Sequence, residues 1–134
     1  MRRVSTLVMA ALALLWLASA ASAQQPGGNP EAAKVKNPVK PTPASIEAGK
    51  TAYLKYCRFC HGDEAKGDGK MAPKNSHPSD LTDDKWDRGS TDGEIFAVIQ
   101  NGAGPKFEMK GFKGRISDEE TWNIVNYLRT LHKK

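Results

Sequence analysis

Apolar residues are distributed differently in three stretches of the chain. From Leu7 to Ala18 they form an unbroken run of 12, with Arg2 and Arg3 before it and small residues after it. A basic start, a short apolar stretch and the A-x-A triplet Ala21-Ser22-Ala23 predict a signal peptide over residues 1–23, cut before Gln24. Ala18-Ser19-Ala20 offers a second cut. The run is shorter than the roughly 20 residues that cross a bilayer, so membrane attachment follows only if the segment stays uncleaved. Export predicts a periplasmic chain. Residues 24–43 hold Pro26, Pro30, Pro38, Pro41 and Pro43 together with Gly27, Gly28, Lys34, Lys36 and Lys40. Such a stretch predicts a solvated, flexible linker with no packed structure.

From residue 44 the apolar positions take helical spacing. Ser45 is placed as the N-cap of a first helix running through Ile46, Gly49, Tyr53, Leu54 and Tyr56. Gly49 and Tyr53 are four apart and share a face, and a glycine inside a helix signals that something approaches its backbone closely. A second helix starts at Thr91, with Glu94 three residues on as a capping box, Ile95, Phe96, Val98 and Ile99 as apolar positions, and Gly102 as C-terminal cap. A third starts at Ser117, again with an acid three on at Glu120, and continues through Trp122, Ile124, Val125, Leu128 and Leu131, with Tyr127 placed to face the first helix. No window longer than four residues alternates cleanly, so strands are not expected. Residues 44–134 read as one all-α domain.

Ninety-one residues fold alone with a modest apolar core, and a bound apolar body would complete it. The formal charge of +5 becomes +3 without Arg2 and Arg3, 18 basic residues standing against 15 acidic ones. No basic run with interleaved aromatics suggests nucleic acid. The charge is unevenly spread. Lys106, Lys110, Lys113 and Arg115 oppose Glu108 within 104–115, while six acids oppose Lys85 and Arg88 within 80–94.

Both cysteines lie in Cys57-Arg58-Phe59-Cys60-His61. Two thiols three positions apart add across the two vinyl groups of one porphyrin, and the histidine that follows is held under the iron as its proximal ligand. C-x-x-C-H therefore points to one covalent haem c. A disulfide is favoured by an oxidising compartment. A thioredoxin-like pair needs a βαβ setting that no strand pattern near Cys57 provides. Structural zinc wants four ligands, whereas His77 and His132 stand far from the two cysteines. His77 precedes Pro78 and reads as a surface loop residue, and His132 as part of a frayed C-terminus.

A six-coordinate iron needs a further donor, most often a methionine thioether. Met1 and Met9 leave with the signal peptide, so Met71 and Met109 remain. Met71 follows His61 by ten residues, a short reach round a porphyrin; Met109 follows by 48, in a glycine- and proline-rich loop before the last helix. Met109 is the expected distal ligand, and a His/Met pair raises the reduction potential. Ile95, Ile99, Phe112 and Leu128 are candidates for the haem wall, and Trp86 and Arg88 for donors to the propionates.

These pieces, in order, resemble a class I cytochrome c: Gly49-x-x-x-Tyr53-x-x-x-Cys57-Arg-Phe-Cys60-His61-Gly62, Gly67-Asp68-Gly69, Pro78-Ser-Asp80-Leu81-Thr82, Asp92-Gly93-Glu94-Ile95-Phe96, Asn101-Gly102, Met109-x-x-Phe112 and Ser117-Asp-Glu-Glu-x-Trp122-x-x-Val125-x-Tyr127-Leu128-Arg129. The chain is similar to the bacterial monohaem proteins and haem subunits grouped with subunit III of the cbb3-type oxidase. The resemblance implies three to four helices wrapped around one haem c, the first and last crossing at Gly49 and Tyr127. It implies a carrier of single electrons, not an enzyme, that meets redox partner proteins through a small transient interface near the haem edge. The alternative is a haem-bearing subunit or domain of a larger oxidoreductase; an open iron position would instead mean a haem enzyme or gas sensor. Lys110 stands where the family often has proline after the ligand methionine, which implies a more easily opened loop.

Overall fold

A computed structural model describes residues 27–104 and 108–132. Its helices are α1 (Pro30–Ala33), α2 (Pro43–Tyr56), α3 (Arg58–His61), α4 (Asp92–Asn101) and α5 (Asp118–Leu131), and the two-residue strands β1 (Gly102–Ala103) and β2 (Met109–Lys110) pair antiparallel between α4 and α5. The expected signal peptide lies outside the described residues. Among those described, no helix is long and apolar enough to cross a membrane.

The all-α reading holds, and the three predicted helices are α2, α4 and α5. Both capping boxes form, Thr91 with Glu94 and Ser117 with Glu120, and Gly102 ends α4 at φ 84°. Two local expectations shift. The N-cap of α2 is Thr42, whose hydroxyl accepts from the Ser45 amide, with Pro43 at the first helical position. Ser45 is buried and bonds elsewhere. The β1–β2 pair was not expected from the pattern; two residues per strand are too few to alternate.

The helices α2 and α5 cross tightly. Gly49 is the reason they can: a Cβ there would run into the Asn123 carbonyl oxygen and meet the Tyr127 Cβ at 2.9 Å. Just along from the crossing, the Tyr53 and Tyr127 rings tilt against each other with centroids 5.5 Å apart. Tyr53, Ile124, Val125 and Leu128 form the centre of the core, with Ile95, Ile99 and Trp122 closing it from the α4 side, where Phe96 stacks on Trp122 at 4.1 Å.

The expectation of an unpacked linker at 24–43 fails from residue 27 on. The Gly27 amide donates to the Asp87 carbonyl at 2.9 Å, and the Asn29 amide to Glu94 Oε1 at 3.0 Å. Asn29 also caps the single turn of α1, which lies so close to α4 that a Cβ on Gly93 would strike the Ala32 carbonyl. Asn37 Nδ2 donates to Asn126 Oδ1 at 2.8 Å and to the Trp122 carbonyl, while Asn126 Nδ2 reaches the Val39 carbonyl and Ser45 Oγ. Ser45 Oγ in turn donates to Asn123 Oδ1 at 2.7 Å. Prolines block regular structure locally, but the side-chain amides of Asn37 and Asn126, in bonds that span 85 to 89 residues, hold the segment as a strap across α4 and α5.

Candidate haem site

The site is built where α2 ends. Cys57 is both the C-cap of α2 and the N-cap of the one-turn α3, which carries Cys60 and His61. Backbone bonds continue across the junction, from the Cys60 and His61 amides to the Cys57 carbonyl and from the Gly62 amide to the Arg58 carbonyl. The three motif side chains are thus fixed on one short turn. Tyr53, fully buried, donates its hydroxyl to the Gly62 carbonyl at 2.7 Å and ties the exit of that turn to α2.

His61 Nδ1 lies 3.1 Å from the Ser79 carbonyl. A carbonyl only accepts, so Nδ1 carries the proton and Nε2 keeps its lone pair for a metal. Burial lowers the affinity of His61 for a second proton, against the opposing pull of the Ser79 carbonyl. A neutral imidazole is the ligand form.

The thiols give a different signal from a redox pair. No disulfide joins them. Burial, with a smaller contribution from Cys60, pushes the Cys57 thiol up to about 12, whereas thioredoxin-like chemistry needs an attacking thiol with a depressed value. The zinc reading fares no better: among the described residues no group of three or more His, Cys, Asp or Glu is placed to hold a metal ion.

Cys57, Cys60, His61 and Met109 all line one cavity of about 390 Å³. Ile95, Ile99, Phe112 and Leu128, the expected wall residues, line it too. Met109 is half-buried and packs against the core. Its backbone pairs with Ala103, and the loop behind it is stitched to α4 by the Phe112 amide on the Ile99 carbonyl and the Lys113 amide on the Gln100 carbonyl. Met71 reaches the same cavity at its rim but is 69% exposed. Two thiols, a neutral imidazole and a thioether on one largely aliphatic and aromatic wall are a donor set that fits haem c.

At the rim, the Trp86 indole N–H donates to His132 Nε2 at 3.1 Å. One expectation changes: His132 is half-buried and stacked on Trp86, not frayed. His77 is exposed at the cavity rim, as its place before proline suggested. Sequence reasoning did not identify Ser79 as the partner of His61, because a backbone carbonyl carries no residue-type signal beyond the Pro78-Ser79 bend.

Comparison with known proteins agrees with this geometry. The family model described as Cytochrome C oxidase, cbb3-type, subunit III matches residues 44–128. The chain is 33% identical over 90 residues to the Cbb3-type cytochrome c oxidase subunit FixPc of Rhizobium leguminosarum bv. viciae, covering 66% of this chain and 29% of that one. It is 31% identical over 88 residues to cytochrome c550 of Pseudomonas aeruginosa, covering 66% and 57%. Among solved structures, the Kuenenia stuttgartiensis reducing HAO-like protein complex matches at a TM-score of 0.63 and 30% identity, over 74% of this chain and 50% of that chain. Cytochrome cL of Methylophaga aminisulfidivorans, at a TM-score of 0.56 and 23% identity over 67% and 55%, shares the fold. The chain spans less than a third of the length of the first curated relatives it matches. With the family model covering well over half of its residues, the chain belongs to the Cytochrome C oxidase, cbb3-type, subunit III family, with the class I cytochrome c fold and haem c as its cofactor.

Proposed function

We propose that this chain is an exported monohaem electron-transfer protein, in which Cys57 and Cys60 would hold the haem by thioether bonds and His61 Nε2 and the Met109 sulfur would ligate its iron. The observation that carries the reading is the meeting of these four side chains on the wall of one cavity, from positions up to 52 residues apart. The bound haem supplies a one-electron iron couple. The protein supplies rigidity: α3 is clamped by Tyr53, His61 is oriented by Ser79, and the Met109 strand is fixed by β1. Little rearranges when the charge changes, and a thioether donor favours the reduced iron.

Residues 1–23 act as the signal peptide in this reading, and the mature chain works in the periplasm. Lys110, Lys113 and Arg115 are exposed beside the cavity, while acids concentrate in residues 80–94. This polarity favours a brief encounter with an acidic surface on a redox partner, faster at low salt.

A second reading makes the chain the haem-bearing part of a larger oxidoreductase. It is favoured by relatives named as oxidase and alcohol dehydrogenase subunits that are more than twice as long. Purification from the native host separates the two readings, since a subunit comes with a catalytic partner. The haem assignment is tested by a denaturing gel stained for covalent haem, with Cys57→Ala and Cys60→Ala as controls. A Met109→Ala protein should lose the near-infrared sulfur-to-iron band while Met71→Ala keeps it. Colourless wild-type protein with the mass of bare polypeptide refutes the assignment.

A further inference from the structure

The two halves of the site meet in an aromatic contact. Tyr56 is the last residue of α2, directly before Cys57, and Phe112 is the third residue after Met109. Their rings stand edge toward face, with centroids 6.1 Å apart and planes at 63°, within the range at which aromatic pairs attract. Both side chains are half-buried, pack against the core and line the cavity. Each ring also carries a cation: Lys55 Nζ lies 4.8 Å from the Tyr56 centroid, and the Arg115 guanidinium 4.9 Å from that of Phe112.

The backbone fixes where each ring stands. Tyr56 is held by α2, and the helical ladder continues past it in the Cys57 amide bond to the Tyr53 carbonyl at 2.8 Å. The Phe112 amide donates to the Ile99 carbonyl at 2.9 Å, and its carbonyl accepts from the Arg115 and Ile116 amides at 2.8 and 3.1 Å. A Cβ on Gly111 would run into the Gln100 carbonyl, so this part of the loop lies directly against the end of α4. From there the Phe112 ring reaches across to α2, linking the Met109 loop to the helix that ends at Cys57.

We propose that Tyr56 is a positioning residue for Met109: its ring, through Phe112, holds the loop closed so that the thioether stays in the ligand position. The inference rests on the assignment of Met109 to the iron. Opening the loop parts the two rings, and an aromatic pair contributes about two- to tenfold to an equilibrium beyond the area it buries. A small ligand from solution that takes the Met109 position binds only the open form, so its apparent affinity scales with the open fraction. Removing the Tyr56 ring should therefore tighten that binding by about two- to tenfold. The ring makes the contact, so its hydroxyl is dispensable.

The test is a titration of the ferric, haem-loaded protein with imidazole at a fixed neutral pH, followed by loss of the near-infrared sulfur-to-iron band. Tyr56→Leu should be half-saturated at about two- to tenfold less imidazole than wild type, and Tyr56→Phe at the wild-type concentration. Phe112→Leu should shift like Tyr56→Leu, and the double Leu variant should shift no further, because the pair is lost only once. General destabilisation of the fold would instead make the two losses add. In the reduced wild type, nuclear Overhauser contacts should join the Tyr56 and Phe112 ring protons, a measurement that holds even if a Leu variant does not take up haem. Wild-type affinity in Tyr56→Leu, a Leu-like shift in Tyr56→Phe, additive losses, or no ring contacts in wild type each overturn the proposal while leaving the Met109 assignment standing. Wild type that lacks the near-infrared band overturns both.

Discussion

Glu94 is the residue whose loss should reveal how the strap is held. It is 7% exposed and accepts from the Thr91 amide at 3.0 Å, the Thr91 hydroxyl at 2.8 Å and the Asn29 amide at 3.0 Å. The first is the carboxylate half of the α4 capping box, the second adds to it, and the third pins the strap. Replacing Glu94 by Ala removes the capping carboxylate, worth about 1 kcal/mol, and leaves the partly buried Asn29 N–H without an acceptor, worth about 1–2 kcal/mol more. The expected loss is therefore about 2–3 kcal/mol, which lowers Tm by ~10–15 °C for a domain of this size. Glu94→Gln should recover little, because its NH2 group faces donors where a carboxylate oxygen accepts. The assay is guanidinium denaturation of the haem-loaded protein by far-UV circular dichroism, paired with limited proteolysis between residues 27 and 43. Faster cleavage of the strap should accompany the lost stability. An Ala variant within 0.5 kcal/mol of wild type, with the strap no more easily cut, refutes the reasoning. The same contacts set an acid limit. Burial pushes the Glu94 carboxyl up, but hydrogen bonds from Thr91, Asn29 and Ser90 outweigh it and hold the group below its ordinary value. A depressed carboxylate stabilises the fold above the unfolded value of about 4.3 and loses that contribution as pH falls through the native one. Wild type should thus show an acid-side loss of stability that Glu94→Ala lacks.

Gly49→Ala forces a methyl into the Asn123 carbonyl and Tyr127, and since backbone cannot swing aside, about 2–3 kcal/mol should be lost in thermal unfolding; a neutral outcome would mean that α2 and α5 do not cross there. Tyr53→Phe leaves the Gly62 carbonyl without its 2.7 Å donor and should cost about 1–2 kcal/mol in chemical denaturation with haem still attached. Burial raises the Tyr53 hydroxyl above its ordinary value, so its contribution is present below about pH 10 and lost as pH rises further, a loss that Tyr53→Phe should not show. A lysine should displace Met109 at strongly alkaline pH, since Lys110 is exposed, adjoins the proposed ligand and lines the same cavity; survival of the near-infrared sulfur-to-iron band well above neutral pH would exclude this.

Legibility in the sequence followed the range of the interaction. Thr91 with Glu94 and Ser117 with Glu120 are three residues apart, so both helix starts could be read from spacing, and both form. Gly49 was legible as a close approach because glycine inside a helix has few other uses, though not that its neighbour would be the Asn123 carbonyl. The strap was misread for the opposite reason. Its prolines speak about local backbone, while Asn37 and Asn126 bond across 89 residues and neither carries a mark in its neighbourhood. Trp86 could be read either as a propionate donor or as a surface residue; it lines the cavity, and the destination of its N–H depended on where α5 ends. His132 at that C-cap was the missing fact.

The two sides of the cavity are held by different kinds of restraint, and this difference has consequences. On the His61 side, side-chain bonds add to the backbone ones: the buried Tyr53 hydroxyl donates to the Gly62 carbonyl and His61 Nδ1 meets the Ser79 carbonyl. On the Met109 side the described hydrogen-bonded restraints are a two-residue strand pair and two backbone bonds to the end of α4. Opening this half breaks few bonds and leaves the helical frame intact, so it is the low-stability unit of the site. Stabilising α4 through the strap therefore acts on the ligand loop at a distance: Asn29 holds Glu94 at one end of the helix, and Ile99 and Gln100 hold Phe112 and Lys113 at the other. If that chain of contacts is continuous, Glu94→Ala should loosen Met109 before it loosens His61.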